Sequence, residues 1–198
     1  MDALLLWLPM ATFFFASSIT PGPNNIMLAS SGLNYGFRRS IPHMLGISVG
    51  CMAMIFVLGL GLGAAFNRLP VLHTGLKVVC VLYLLYLAAK IAFSGPMGAG
   101  QEQGKPMTFL QAAAFQWVNP KAWAMVLGVI AVYVPPKEFM ANLLIATSIA
   151  GMVNLPTISV WTLFGVALKR WLREPRTVRM FNFSMAVLLV LSIYPMVV

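Results

Sequence analysis

The chain has 198 residues, 60% of them hydrophobic and only 9% charged, with a formal net charge of +9. Soluble domains are nearer a quarter charged, so an ordinary soluble globular protein is excluded and an all-α integral membrane protein is expected. The basic excess does not point to nucleic acid, because its residues sit at the ends of apolar runs rather than on one solvated face.

A helix needs about 20 mostly apolar residues to span a bilayer, and six hydrophobic regions follow one another along the chain. The first covers residues 3–31. It begins without the basic start of a signal peptide, which reads as an uncleaved span. It is overlong because Thr20-Pro21-Gly22-Pro23-Asn24-Asn25 interrupts it. Proline inside a helix removes a donor and clashes with the carbonyl four residues back. Pro21 and Pro23 should therefore strip the Ser17 and Ile19 carbonyls of helical partners, and Thr20 is pushed from helical angles by the proline after it. Beyond the break, Pro23 suits the first position of a new helix and Gly22 its cap. That helix would present unpaired N–H groups at Asn24, Asn25 and Ile26. Carbonyls on one side and the positive end of a half-helix on the other suit a zwitterion.

A polar turn, residues 34–39, leads to the uncharged second region, 44–66. It carries Gly46 and Gly50 at the spacing that lets helices approach closely in lipid, so packing is the expected role of its glycines. Asn67-Arg68-Leu69-Pro70 connects to a third region that ends near Phe93, with Lys77 placed to snorkel. The loop 94–107, rich in Gly, Gln and Pro, divides the chain. The fourth region, 108–134, is broken by Gln116-Trp117-Val118-Asn119-Pro120-Lys121, where Pro120 frees the Gln116 carbonyl. The fifth, 139–168, holds Asn154-Leu155-Pro156 and an expected kink. A basic loop, 169–179, precedes the sixth, 180–198.

Loop charge sets orientation in the bilayer. Odd-to-even loops hold Arg38, Arg39, Lys90, Lys105, Lys169, Arg170, Arg173, Arg176 and Arg179, nine of the 13 basic residues. The other two loops hold Arg68, Lys77 and Lys137. Both termini should then face the periplasm and the heavier loops the cytoplasm. Pro21 and Pro120 lie 99 residues apart, each in the first span of a three-span half. Because three is odd, the halves insert with opposite orientation. The expected fold is a single transporter domain, 1–198, with six transmembrane helices as a 3+3 inverted repeat: 1–95, a cytoplasmic loop 96–107, and 108–198. Interrupted segments at matching positions of two halves mark a transporter's binding site.

The candidate substrate-binding residues are accordingly Pro21, Gly22, Pro23, Asn24, Asn25, Asn119, Pro120 and Lys121. One of Asn24 and Asn25 is expected to cap the half-helix and the other to meet substrate. Lys121 is the one ionisable residue central to a hydrophobic region, which suggests a carboxylate partner; snorkelling to the cytoplasmic interface is the alternative. If the breaks are only kinks, Ser48 and Asn154 are the polar positions left. Cys51 and Cys80 read as packing residues, His43 as a structural residue at the interface, and Trp7, Trp117, Trp161 and Trp171 as including interface anchors.

These residues resemble the LysE/RhtB family of amino-acid exporters. The match spans nearly the whole chain: its length, six spans, Pro21-Gly22-Pro23-Asn24 in the first and Asn119-Pro120-Lys121 in the fourth. Residues 20–26 and Lys90-Ile91-Ala92 look most like the cysteine/O-acetylserine exporter branch. The resemblance implies export from the cytoplasm across a bacterial inner membrane, driven by the membrane potential or a proton gradient, by proteins that act as oligomers, commonly homodimers. It implies no cofactor.

Absent chemistry narrows the substrate. Asp2, Glu102, Glu138 and Glu174 are the four acidic residues, and all lie in termini or loops. Without a buried anion, neutral amino acids are favoured over lysine or arginine, and a divalent-metal exporter lacks ligands. Two histidines and no buried acid give no metal site or triad, so an enzyme is not expected. An exporter of another small solute and a non-transporting scaffold are the alternatives, the latter leaving the paired breaks unexplained.

Overall fold

A computed structural model describes residues 3–62, 78, 82, 85, 86, 88, 89, 91–93, 105–135, 138–171 and 175–191. Seven α-helices are delimited among them: α1 (Ala3–Ile19), α2 (Pro23–Tyr35), α3 (Phe37–Val57), α4 (Phe109–Gln116), α5 (Pro120–Tyr133), α6 (Phe139–Trp171) and α7 (Pro175–Leu191). The described residues of the third region are helical from 78 to 92. Cys80, His73, Lys77 and Lys90 lie outside the described residues, as does the chain beyond Leu191. Among the described residues, two helices are long and apolar enough to cross a membrane, Phe37–Gly61 and Phe139–Leu168.

Several boundaries differ from the sequence reading. The polar turn expected over 34–39 shrinks to Gly36, whose φ of 80° ends one helix and lets the next begin. The helix of the second region therefore starts at Phe37, with Arg38 and Arg39 exposed on its first turn. α3 is followed by a π-helical turn over Leu58–Leu62 with a kink at Gly61, φ 109°. The fifth region forms a single helix, α6, with Pro156 inside it. The sixth region starts at Pro175, a favoured first helical residue, instead of at Met180.

The outer surface is apolar. Leu8, Leu82, Leu110, Met152 and Phe183 are each more than 60% exposed, while Asn25, Asn34, Gln116, Asn119, Asn154 and Asn182 are buried. Polar groups inside and apolar side chains outside is the arrangement that lipid selects.

Glycines set the closest helix contacts. A Cβ at Gly32 of α2 would strike the carbonyl of Thr162 in α6, and one at Gly165 of α6 would strike the carbonyl of Ala29 in α2. The two backbones touch directly there. Gly46 and Gly50 of α3 receive α4 in the same way, with Ala113 Cα 2.8 Å from a Cβ built at Gly50. The packing role expected for this glycine pair is what the structure gives it. A shared core of Phe14, Leu28, Ile47, Met54, Val126, Leu143 and Ile158 ties α1, α2, α3, α5 and α6 together.

Candidate functional site

Both sequence breaks are breaks in the structure. Gly22 precedes α2 as its cap residue and Pro23 opens the helix. At the second break Asn119 caps α5, its Oδ1 accepting from the Lys121 backbone N–H at 3.1 Å.

The carbonyls freed by proline do not stay free. Ser17 O accepts from the Thr20 hydroxyl at 3.0 Å, Ile19 O from the Trp161 indole N–H at 3.1 Å and Gln116 O from the Asn119 N–H at 3.2 Å. The Ile26 N–H, expected bare, donates to Gly22 O at 3.0 Å. A bare buried backbone group costs about 1–3 kcal/mol, which is reason enough for nearby donors to fold over it. Trp161 thus serves the break through its indole N–H.

Neither asparagine caps α2, whose cap residue receives no side-chain bond. Asn25, 3% exposed, turns back and donates to the Ser18 and Thr20 carbonyls at 2.8 and 2.7 Å, fixing the end of α1. Asn24 reaches across to the other break. It donates to Gln116 Oε1 at 2.8 Å and accepts from Gln116 Nε2 at 3.2 Å. Gln116 is itself tied to Ala112 O, and the Cys51 thiol donates to its Oε1 at 3.6 Å.

Lys121 makes the second link between the breaks. Its ammonium donates to Thr20 O at 2.5 Å, Thr20 Oγ1 at 2.9 Å and Pro21 O at 3.3 Å. Gly22 leaves the lysine its path: a Cβ there would meet Lys121 Cδ at 2.7 Å.

Between the breaks lies a hollow of about 350 Å³ that is partly open to the outside, with an enclosed cavity of only about 30 Å³. The enclosed part has room for a water molecule and is well below the roughly 300–1,000 Å³ usual for small-molecule sites. Gly22, Asn24, Asn25, Asn119 and Lys121 line it, while Pro21, Pro23 and Pro120 shape the breaks without lining it. Ser17, Ser18, Cys51 and Asn154 add polar wall, and Ala122, Met125 and Ile158 add apolar wall. No lining residue carries a carboxylate.

Sequence reasoning passed over Ser18 and the Gln116 side chain and assigned Cys51 to packing. A polar residue deep in an uncharged span is the signal that marks Asn154. Ser48 is buried but not on this wall. His43, read as a structural residue, is 1% exposed within α3.

A helical chain with an apolar exterior and a polar cavity between two interrupted segments has the architecture of a secondary transporter. The family model of the LysE-type translocators matches residues 15–192, and the chain belongs to that family. A relative from Salmonella typhimurium (strain LT2) is 31% identical over 181 residues, covering 90% of this chain and 91% of its own. One from Escherichia coli (strain K12) is 30% identical over the same shares. Each bears the name cysteine/O-acetylserine efflux protein. No solved structure matches.

Proposed function

We propose that the protein exports small neutral amino acids or their derivatives from the cytoplasm across the inner membrane, by alternating access around the cavity between the two breaks. The observation that carries this reading is the convergence of both interruptions on one small polar cavity. Asn24, Asn25, Asn119 and Lys121 are its substrate-facing polar groups, and Gly22 and the three prolines hold the backbone that presents them. The names of the relatives support a substrate of this class. The carboxylate-free wall favours neutral over cationic side chains, since a buried cation without an anion is costly. Six spans, related as a 3+3 inverted repeat with both ends periplasmic, complete the proposal.

The test is efflux of radiolabelled amino acids from vesicles holding the purified protein. Neutral amino acids should exit in competition with one another, and lysine or arginine should compete poorly. Equal competition by the cationic pair would sink the substrate assignment, and no efflux of any amino acid would sink the transport reading.

A further inference from the structure

Asn154 enters the cavity wall from α6 and is 5% exposed. Its Nδ2 donates to Ser18 Oγ at 3.0 Å, while its Oδ1 has no hydrogen-bond partner among the described residues. Turning the amide over would pair Oδ1 with the Ser18 hydroxyl and leave Nδ2 bare instead. One polar atom is unmatched in either orientation. A buried polar atom in this state bears its full desolvation penalty, unlike the freed carbonyls of the breaks, which nearby donors have all claimed. A ligand that enters the cavity with a donor removes the penalty.

We infer that Asn154 is a specificity-determining residue that receives the ammonium group of the transported amino acid through its Oδ1. This rests on the reading of the cavity as the transport site. Charge decides which end of a zwitterion lies here. Lys121 already fills the oxygens of Thr20 and Pro21 with its own ammonium, so that end repels a second cation. With the positive end of α5 beside it, the same end attracts a carboxylate. The ammonium is left for the opposite side, where Asn154 is anchored on Ser18. Ser18 precedes Pro21 by three residues, no more than about 10 Å of chain, and Asn154 and Lys121 line the same cavity. Cys51, Met125 and Ile158 then bound the space for its side chain.

The experiment measures binding of L-cysteine and of 3-mercaptopropanoate, the same molecule without its ammonium, to the full chain in lipid nanodiscs. The wild type should prefer cysteine by about tenfold to a hundredfold, the range for a hydrogen bond to a charged group. Asn154→Leu should lose that preference while its affinity for 3-mercaptopropanoate holds. Asn154→Asp, which accepts from the Ser18 hydroxyl where asparagine donates to it, should raise the preference above that of the wild type. A leucine variant that keeps the preference overturns the assignment. If the leucine variant does not fold, the aspartate variant decides, and an unchanged or lowered preference there overturns it. A wild type that binds neither compound overturns the cavity reading itself.

Discussion

Gly22 is where the two breaks depend on a single missing methyl group. Its φ of −177° is extended backbone that any residue adopts, so alanine strains nothing locally. The added Cβ would lie 2.7 Å from Lys121 Cδ and would drive the ammonium off the Thr20 and Pro21 carbonyls. Gly22→Ala should therefore cut efflux by roughly tenfold, the worth of one charge-assisted bond, while the unfolding midpoint in detergent moves little because a lysine tail gives way easily. An unchanged efflux rate would show that the lysine link is not part of transport. The residues on either side of this contact were legible from the sequence, since proline and an intramembrane lysine announce themselves by chemistry alone. The pairing of Asn24 with Gln116, and of Asn154 with Ser18, was not. Those partners are separated by 92 and 136 positions, and only the fold brings them together.

Helix boundaries obey a different logic from helix contacts. Thr108 and Gln111 form a reciprocal capping box at the start of α4, and α4 is only eight residues long, too short to persist without such a cap and a partner. α3 supplies the partner through Gly46 and Gly50. The turn at 34–39 was misjudged for a physical reason: arginines look like loop residues, yet exposed on the first turn of a helix they reach solvent, which screens most of their repulsion from the helix dipole. Glycines separate by what a side chain would meet. Gly165→Ala sets a Cβ against the Ala29 carbonyl and the Leu33 N–H, 2.9 Å from the latter, and backbone on that side has no way to retreat. It should cost about 1–3 kcal/mol, as overpacking does, in unfolding monitored by circular dichroism. Gly128→Ala meets only the Phe13 ring edge, at 3.4 Å, and should be neutral or gain up to about 1 kcal/mol of helix propensity. Similar losses at both positions would mean that the α2–α6 seam is looser than its geometry.

At the scale of the molecule, composition and hydropathy made the all-helical membrane class legible, because lipid imposes its demands on every span at once. Orientation follows from loop charge, and a reporter that fluoresces only in the cytoplasm, fused after Val198, should stay dark in cells. Bright fluorescence would mean either that the number of spans is odd, which would undo the inverted repeat, or that the insertion is reversed, which would overturn the orientation alone. The seam between α2 and α6 carries one more consequence. Its glycines pass each other at a single register, and a slide of one residue would bring the side chain of Ser31 or Leu33 against the Thr162 backbone where only a hydrogen fits. α2 comes from the first half of the sequence and α6 from the second, so this backbone-to-backbone contact fastens the two halves of the chain to each other.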